Sequence, residues 1–139
     1  MRILKNCWDQ IETFNCQYGA HLFDGHTVSI YVNHWLDVSN DLRPYFSRRN
    51  EDGFVGHCLL VFHGVKQANF EATTYKDENG QIFWSEPVSF NYAGTPNKPT
   101  SSFHLEGSLQ GFPSSVTIKV EAEKFDLHIL DKDEPAKEG

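Results

Sequence analysis

With 139 residues, of which 39% are hydrophobic and 14% aromatic, the chain is long enough for one core of its own and too apolar for a disordered segment. A net charge of −7 argues against nucleic acid, whose phosphates demand Lys and Arg, and favours attraction to a basic partner. No run approaches the roughly 20 apolar residues of a membrane-spanning helix, so no membrane association is expected.

The opening MRILKNCWDQIETF reaches Asp9 and Glu12 before any apolar run of signal-peptide length. A cytoplasmic location follows as an expectation, with Cys7, Cys16 and Cys58 as reduced thiols at no metal-like spacing. Leu4, Cys7, Trp8, Ile11 and Phe14 recur in steps of three and four, which predicts a short amphipathic helix ending near Gly19. From residue 26 the period changes to two. HTVSIYVNHW sets Val28, Ile30 and Val32 against Thr27, Ser29, Tyr31 and Asn33, as in a half-buried strand.

Residues 37 to 53 are polar and broken by Pro44 and Gly53. They predict a loop that carries a basic patch of Arg43, Arg48 and Arg49. GHCLLVFHGV (residues 56–65) is apolar on both faces in its middle and predicts a buried central strand with His57 and His63 at its ends. Asn79-Gly80 between NFEATTY and QIFWSEPVSF is a hairpin signal. After a proline-containing loop over 91–102, SSFHLEGSLQG and SSVTIKVEAEKF alternate. The latter points Val116, Ile118, Val120 and Ala122 inward, and Phe125, Leu127 and Ile129 are taken to continue that parity.

These elements predict a mainly β, antiparallel sandwich or partly open barrel of seven or eight short strands with one short N-terminal helix. A single β-rich domain is expected over residues 1–130, with an acidic, flexible tail over 131–139. Nothing indicates a parallel sheet wound with helices.

Candidate chemistry is sparse. His57 and His63 lie about 20 Å apart along an extended strand, too far for both to reach one zinc at about 2 Å. Whether His34, His57, His63, His104 or His128 converge depends on strand order, and no metal or cofactor is expected. Cys58 beside His57 points to the opposite face, which suits a buried apolar residue rather than a nucleophile with its base. Glu121 with Glu123, and His104 with Glu106, share faces, as an exposed charged sheet surface requires. No nucleophile elbow, zinc-helix motif or phosphate-binding glycine loop is present, and no enzyme is expected.

Several short motifs occur in a suggestive order. His57 precedes LLVF, then Phe62-x-Gly64-Val65; Phe103-x-x-Glu106-Gly107 and Glu121-Ala122-x-x-Phe125 follow, with Leu22-Phe23-Asp24 upstream. Over roughly residues 18 to 130 this arrangement resembles the small all-β bacterial immunity proteins of polymorphic toxin systems. The resemblance implies cytoplasmic neutralisation of a toxin by direct binding, without catalytic residues. A basic protein partner is consistent with the acidic charge. Exposed acids and aromatics give the candidate binding set Trp84, Tyr92, Glu106, Glu121, Glu123 and Asp126. The alternative function is a small-ligand or carbohydrate-binding β module, which requires a concave site with two or more aromatic walls. The chain is expected to be a monomer, or a homodimer formed through an exposed edge strand.

Overall fold

The computed structural model describes residues 1–135, and twelve strands form among them. They are β1 (Arg2–Lys5), β2 (Ile11–Glu12), β3 (Cys16–Phe23), β4 (Thr27–His34), β5 (Asp37–Val38) and β6 (Arg48–Arg49). Then follow β7 (Val55–Gly56), β8 (Cys58–Glu78), β9 (Gln81–Trp84), β10 (Val88–Ala93), β11 (Ser101–Leu109) and β12 (Ser114–Ile129). The protein is mainly β, built around one large mixed sheet.

The strands are not all short. CLLVFHGV (58–65) and NFEATTY belong to one strand, β8, of 21 residues, and β12 has 16. These two pair antiparallel from Cys58↔Ile129 to Thr74↔Ser114. The remaining pairings lead back to them: β12 with β11, β11 with β3, β3 with β4, and β4 with β8. The hydrogen-bonded path therefore closes on itself. One joint departs from the antiparallel expectation, since β11 and β3 run parallel over Gly107↔Cys16 to Leu109↔Tyr18.

Two irregularities let β8 change neighbours. Opposite β12, Lys66 is the extra residue between Val65↔Ala122 and Gln67↔Glu121, a bulge that bends the strand. Gly64 adopts φ +65°, and a Cβ there would lie 2.3 Å from the Glu123 side chain. Before this bend β8 pairs with β4, and beyond it with β10. β12 answers with its own change of parity. Its inward residues run Val116, Ile118, Val120, Ala122 and then Phe125, Leu127, Ile129, with Glu123 and Lys124 both turned away. The even-numbered alternation therefore does not continue as the sequence suggested.

No α-helix forms among the described residues, which corrects the helix expected at the N-terminus. β1 instead pairs with residues 126–129 of β12, and a single 3-10 turn covers Trp8–Gln10. The apolar spacing had a different cause: Leu4 from β1, Trp8 from the 3-10 turn and Ile11 from β2 pack on the core, whereas Phe14 is exposed. Trp8 meets Phe103 at 4.9 Å, Phe125 at 5.0 Å and Phe62 at 5.9 Å between ring centroids, all edge-on. Such edge-to-face contacts stabilise a core beyond simple area burial.

The predicted basic loop is held by its own arginines, both to its own main chain and to β4. Arg43 donates to the carbonyls of Gly53 and Val38, and Arg48 donates to the Asn33 carbonyl at 3.0 Å and its side-chain oxygen at 2.7 Å. The tail is described only to residue 135, so the rest of the expected flexible segment lies outside the described residues. Its first part is docked. Asp131 and Glu134 pair with the N-terminal ammonium at 2.9 and 3.3 Å, and their carbonyls each lie 3.0 Å from His57 Nε2.

Candidate functional site

Asn79 and Gly80, with φ of 56° and 85°, make the two-residue turn that the sequence predicted. The hairpin they close is unusually prominent. β12 accompanies β8 only as far as Thr74, after which β8 pairs with β9 alone. β10 then returns along Gln67–Ala72, so β9 and β10 line successive lengths of the same edge. The protruding part carries Ile82, Phe83 and Trp84, and β10 adds Val88 and Phe90; all five are between 44% and 57% exposed. Carboxylates outnumber cations here: residues 71–93 include Glu71, Asp77, Glu78 and Glu86 against Lys76 alone.

A cavity of about 260 Å³ opens at the base of this arm. Tyr18, Ile30, Phe70, Ala72, Val88, Phe90, Leu109, Val116 and Ile118 make its walls apolar. β3 and β10 flank it without main-chain pairing, and side chains bridge the gap instead. His21 stacks on Phe70 at 4.0 Å, meets Phe90 edge-on at 5.7 Å and places Nε2 2.9 Å from the Tyr92 hydroxyl. Burial holds the His21 imidazole below its ordinary pKa, so it is neutral at pH 7. Thr74 and Ser85, hydrogen-bonded at 3.0 Å, supply polar groups at the rim.

The six residues chosen from sequence do not form one site. Trp84 stands on the protruding arm, packed on Tyr75 at 4.7 Å, and Tyr92 is half-buried against His21 and Phe23. Glu106 is held at 2.8 Å by His104 on the outer face of β11, as their shared face suggested. Glu121 lies 3.9 Å from Lys66. Glu123 accepts from the main-chain amides of Asn97 and Lys98 and so anchors the loop before β11. Asp126 is buried, contrary to its selection as an exposed acid.

Sequence reasoning missed His21, Phe70, Val88 and Phe90. The alternation of Val88, Phe90 and Tyr92 was visible, but it reads equally as a strand with a covered face. Only the absence of a strand between β10 and β3 leaves that face open.

Across the outer surface, the row Asn91, Asn69, Lys119, His104 and the row Ser89, Glu71, Thr117, Glu106 lie in register over four strands. Shallow depressions there are polar and present no Trp or Tyr as a platform for a sugar.

The thiols offer no nucleophile. Cys7, Cys16 and Cys58 are free and buried; burial pushes Cys16 up to about 12 and raises Cys7 and Cys58 as well. Strand pairing does bring histidines together. His63 on β8 meets Asp126 and His128 on β12, with one donor atom from each within 4.8 Å of the others. Comparison with protein-family models, curated proteins and solved structures finds no match to this chain. What the protein does must therefore be read from its own surfaces.

Proposed function

We propose that this chain is a non-enzymatic, cytosolic binding protein: a partly open barrel whose apolar mouth and hairpin arm receive a basic partner protein. The observation that carries this reading is the apolar cavity at the base of the hairpin, whose wall residues Val88 and Phe90 are themselves exposed. Two-stranded hairpins are marginal alone in water, and exposed apolar surface of this extent marks an interaction site. An aromatic or aliphatic side chain of the partner fills the cavity as an anchor, while the carboxylates around it steer and orient a basic surface. The resemblance to immunity proteins makes a toxin the proposed partner. A second reading, a small apolar ligand in the mouth, is favoured by the apolar walls of the cavity and by its few polar groups.

The test is capture by immobilised wild-type protein and two variants, at low and at physiological salt, with mass spectrometry of what is retained. Val88→Asp with Phe90→Asp blocks the mouth; Glu106→Gln with Lys119→Gln alters the outer polar face. A basic protein held by wild type and by the outer-face variant, but lost from the mouth variant, is the expected result. Equal retention by all three removes the mouth as the binding site. A small apolar molecule released from wild type alone in native mass spectrometry establishes the second reading.

A further inference from the structure

On the opposite flank of β12 from the mouth, Asp126 is an anomaly. Its side chain is 8% exposed, and Oδ1 is buried with no hydrogen-bond partner, while Oδ2 accepts from His63 Nε2 at 2.9 Å. A buried carboxylate oxygen left unpaired is costly. The cations nearest in strand register do not relieve it. Lys5 on β1 is paired opposite Asp126, and Lys124 lies opposite His63, yet both are exposed and neither forms an ion pair with the carboxylate.

We propose that His63, Asp126 and His128 form a binding site for a divalent transition-metal ion of the zinc type, with water completing the coordination. The ring of donors arises from two facts of strand geometry. Asp126 and His128 are two residues apart on β12 and share its outer face, and the antiparallel register brings His63 diagonally beside Asp126. Two imidazoles and one carboxylate suit zinc, cobalt(II) or nickel(II), whereas calcium and magnesium prefer all-oxygen sites. The donor atoms, within 4.8 Å of one another, need only side-chain rotation to close on an ion. On binding, the hydrogen on His63 Nε2 moves to Nδ1, which already lies 3.5 Å from Thr27 Oγ1. An outer hydrogen bond of this kind fixes the ring of a metal-bound histidine. The site is independent of the apolar mouth, and it explains why a single strand could not reveal it: β8 provides one histidine and β12 the other.

The experiment is titration of chelator-treated, desalted protein with zinc by calorimetry and with cobalt(II) by visible absorption, alongside long-range histidine NMR spectra. One equivalent of zinc bound at micromolar concentration, with shifts confined to the His63 and His128 rings, is expected. His63→Gln and His128→Gln each weaken binding more than about 100-fold, since loss of an outer partner alone costs 10–100-fold; His104→Gln leaves it unchanged. Both glutamine variants sit at half-exposed positions, and their thermal unfolding without metal reports whether they fold. Should the buried Asp126→Asn variant fail to fold, these two still decide the matter. No saturable binding to folded wild type, or binding that survives both glutamine substitutions, overturns the site.

Discussion

His57 shows how much one side chain can hold in place. Its backbone adopts φ 59°, a left-handed conformation that few non-glycine residues take up. Nε2 must carry the hydrogen, because both of its partners, the Asp131 and Glu134 carbonyls, can only accept. Nδ1 then accepts from the Tyr31 hydroxyl at 2.8 Å. One imidazole thus joins β4 to the segment after β12. Replacing it with Asn, which tolerates the same backbone, is expected to cost about 2–3 kcal/mol in urea denaturation through the polar groups left unpaired. Sequence read His57 as one end of a buried strand and left open whether it meets other histidines; in the structure its ring contacts are the Tyr31 hydroxyl and two main-chain carbonyls. The partners could not be foreseen, because they lie 26 to 77 positions away. Asp126 illustrates the reverse difficulty. Its alternation with Phe125 and Leu127 placed it on an outer face, which is where it lies, but outer faces can be covered.

At the scale of elements, the strands with clean alternation were legible (β4, β11 and the first half of β12), and so was the first half of β8, through a run apolar on both faces. The Asn79-Gly80 turn was legible for the same reason, that its conformation is set by two residues alone. What failed was non-local. β1 is extended because it pairs with β12, and Gly64 with Lys66 shifts which residues point inward; neither effect has a local signature. The hairpin arm also yields a prediction at this scale. Its tip beyond Thr74 contributes little to the core, so Ile82→Ser with Trp84→Ser is expected to change unfolding free energy by no more than about 0.5 kcal/mol. The same pair should weaken partner binding at least about tenfold, as loss of an interface hot spot does. A stability loss of several kcal/mol instead would make the tip a structural element. Amide exchange in residues 76–83 should be fast, since the exposed strand pair has few packed neighbours.

For the molecule as a whole, charge and histidine burial set the response to solution conditions. His21, His34 and His128 all have lowered pKa values, first because burial disfavours their charged forms. Above the ordinary histidine value, near 6.5, both folded and unfolded chains hold these groups neutral. As pH falls below it, the unfolded chain takes up protons before the folded one does, and stability declines. Urea midpoints should therefore drop from pH 7 to pH 5, and His21→Gln should flatten part of that slope. A midpoint that rises over the same interval would contradict the burial of these rings. With its charge of −7, the protein should also associate with a basic partner more slowly as salt rises, while dissociation changes less.

The parallel joint between β3 and β11 has a kinetic consequence. Only three residue pairs, Gly107↔Cys16 to Leu109↔Tyr18, close the circuit there, against the long β8–β12 ladder. Transient opening of this seam is the least costly way to expose the interior, and the protein carries its own clocks for it. Cys16 lies in the seam and Cys58 in the ladder, and both are fully enclosed at rest. A thiol reagent should label Cys16 through seam opening, at a rate nearly independent of low urea, and Cys58 only through global unfolding, at a rate that climbs steeply with urea. Equal labelling rates would mean that the seam opens only when everything else does.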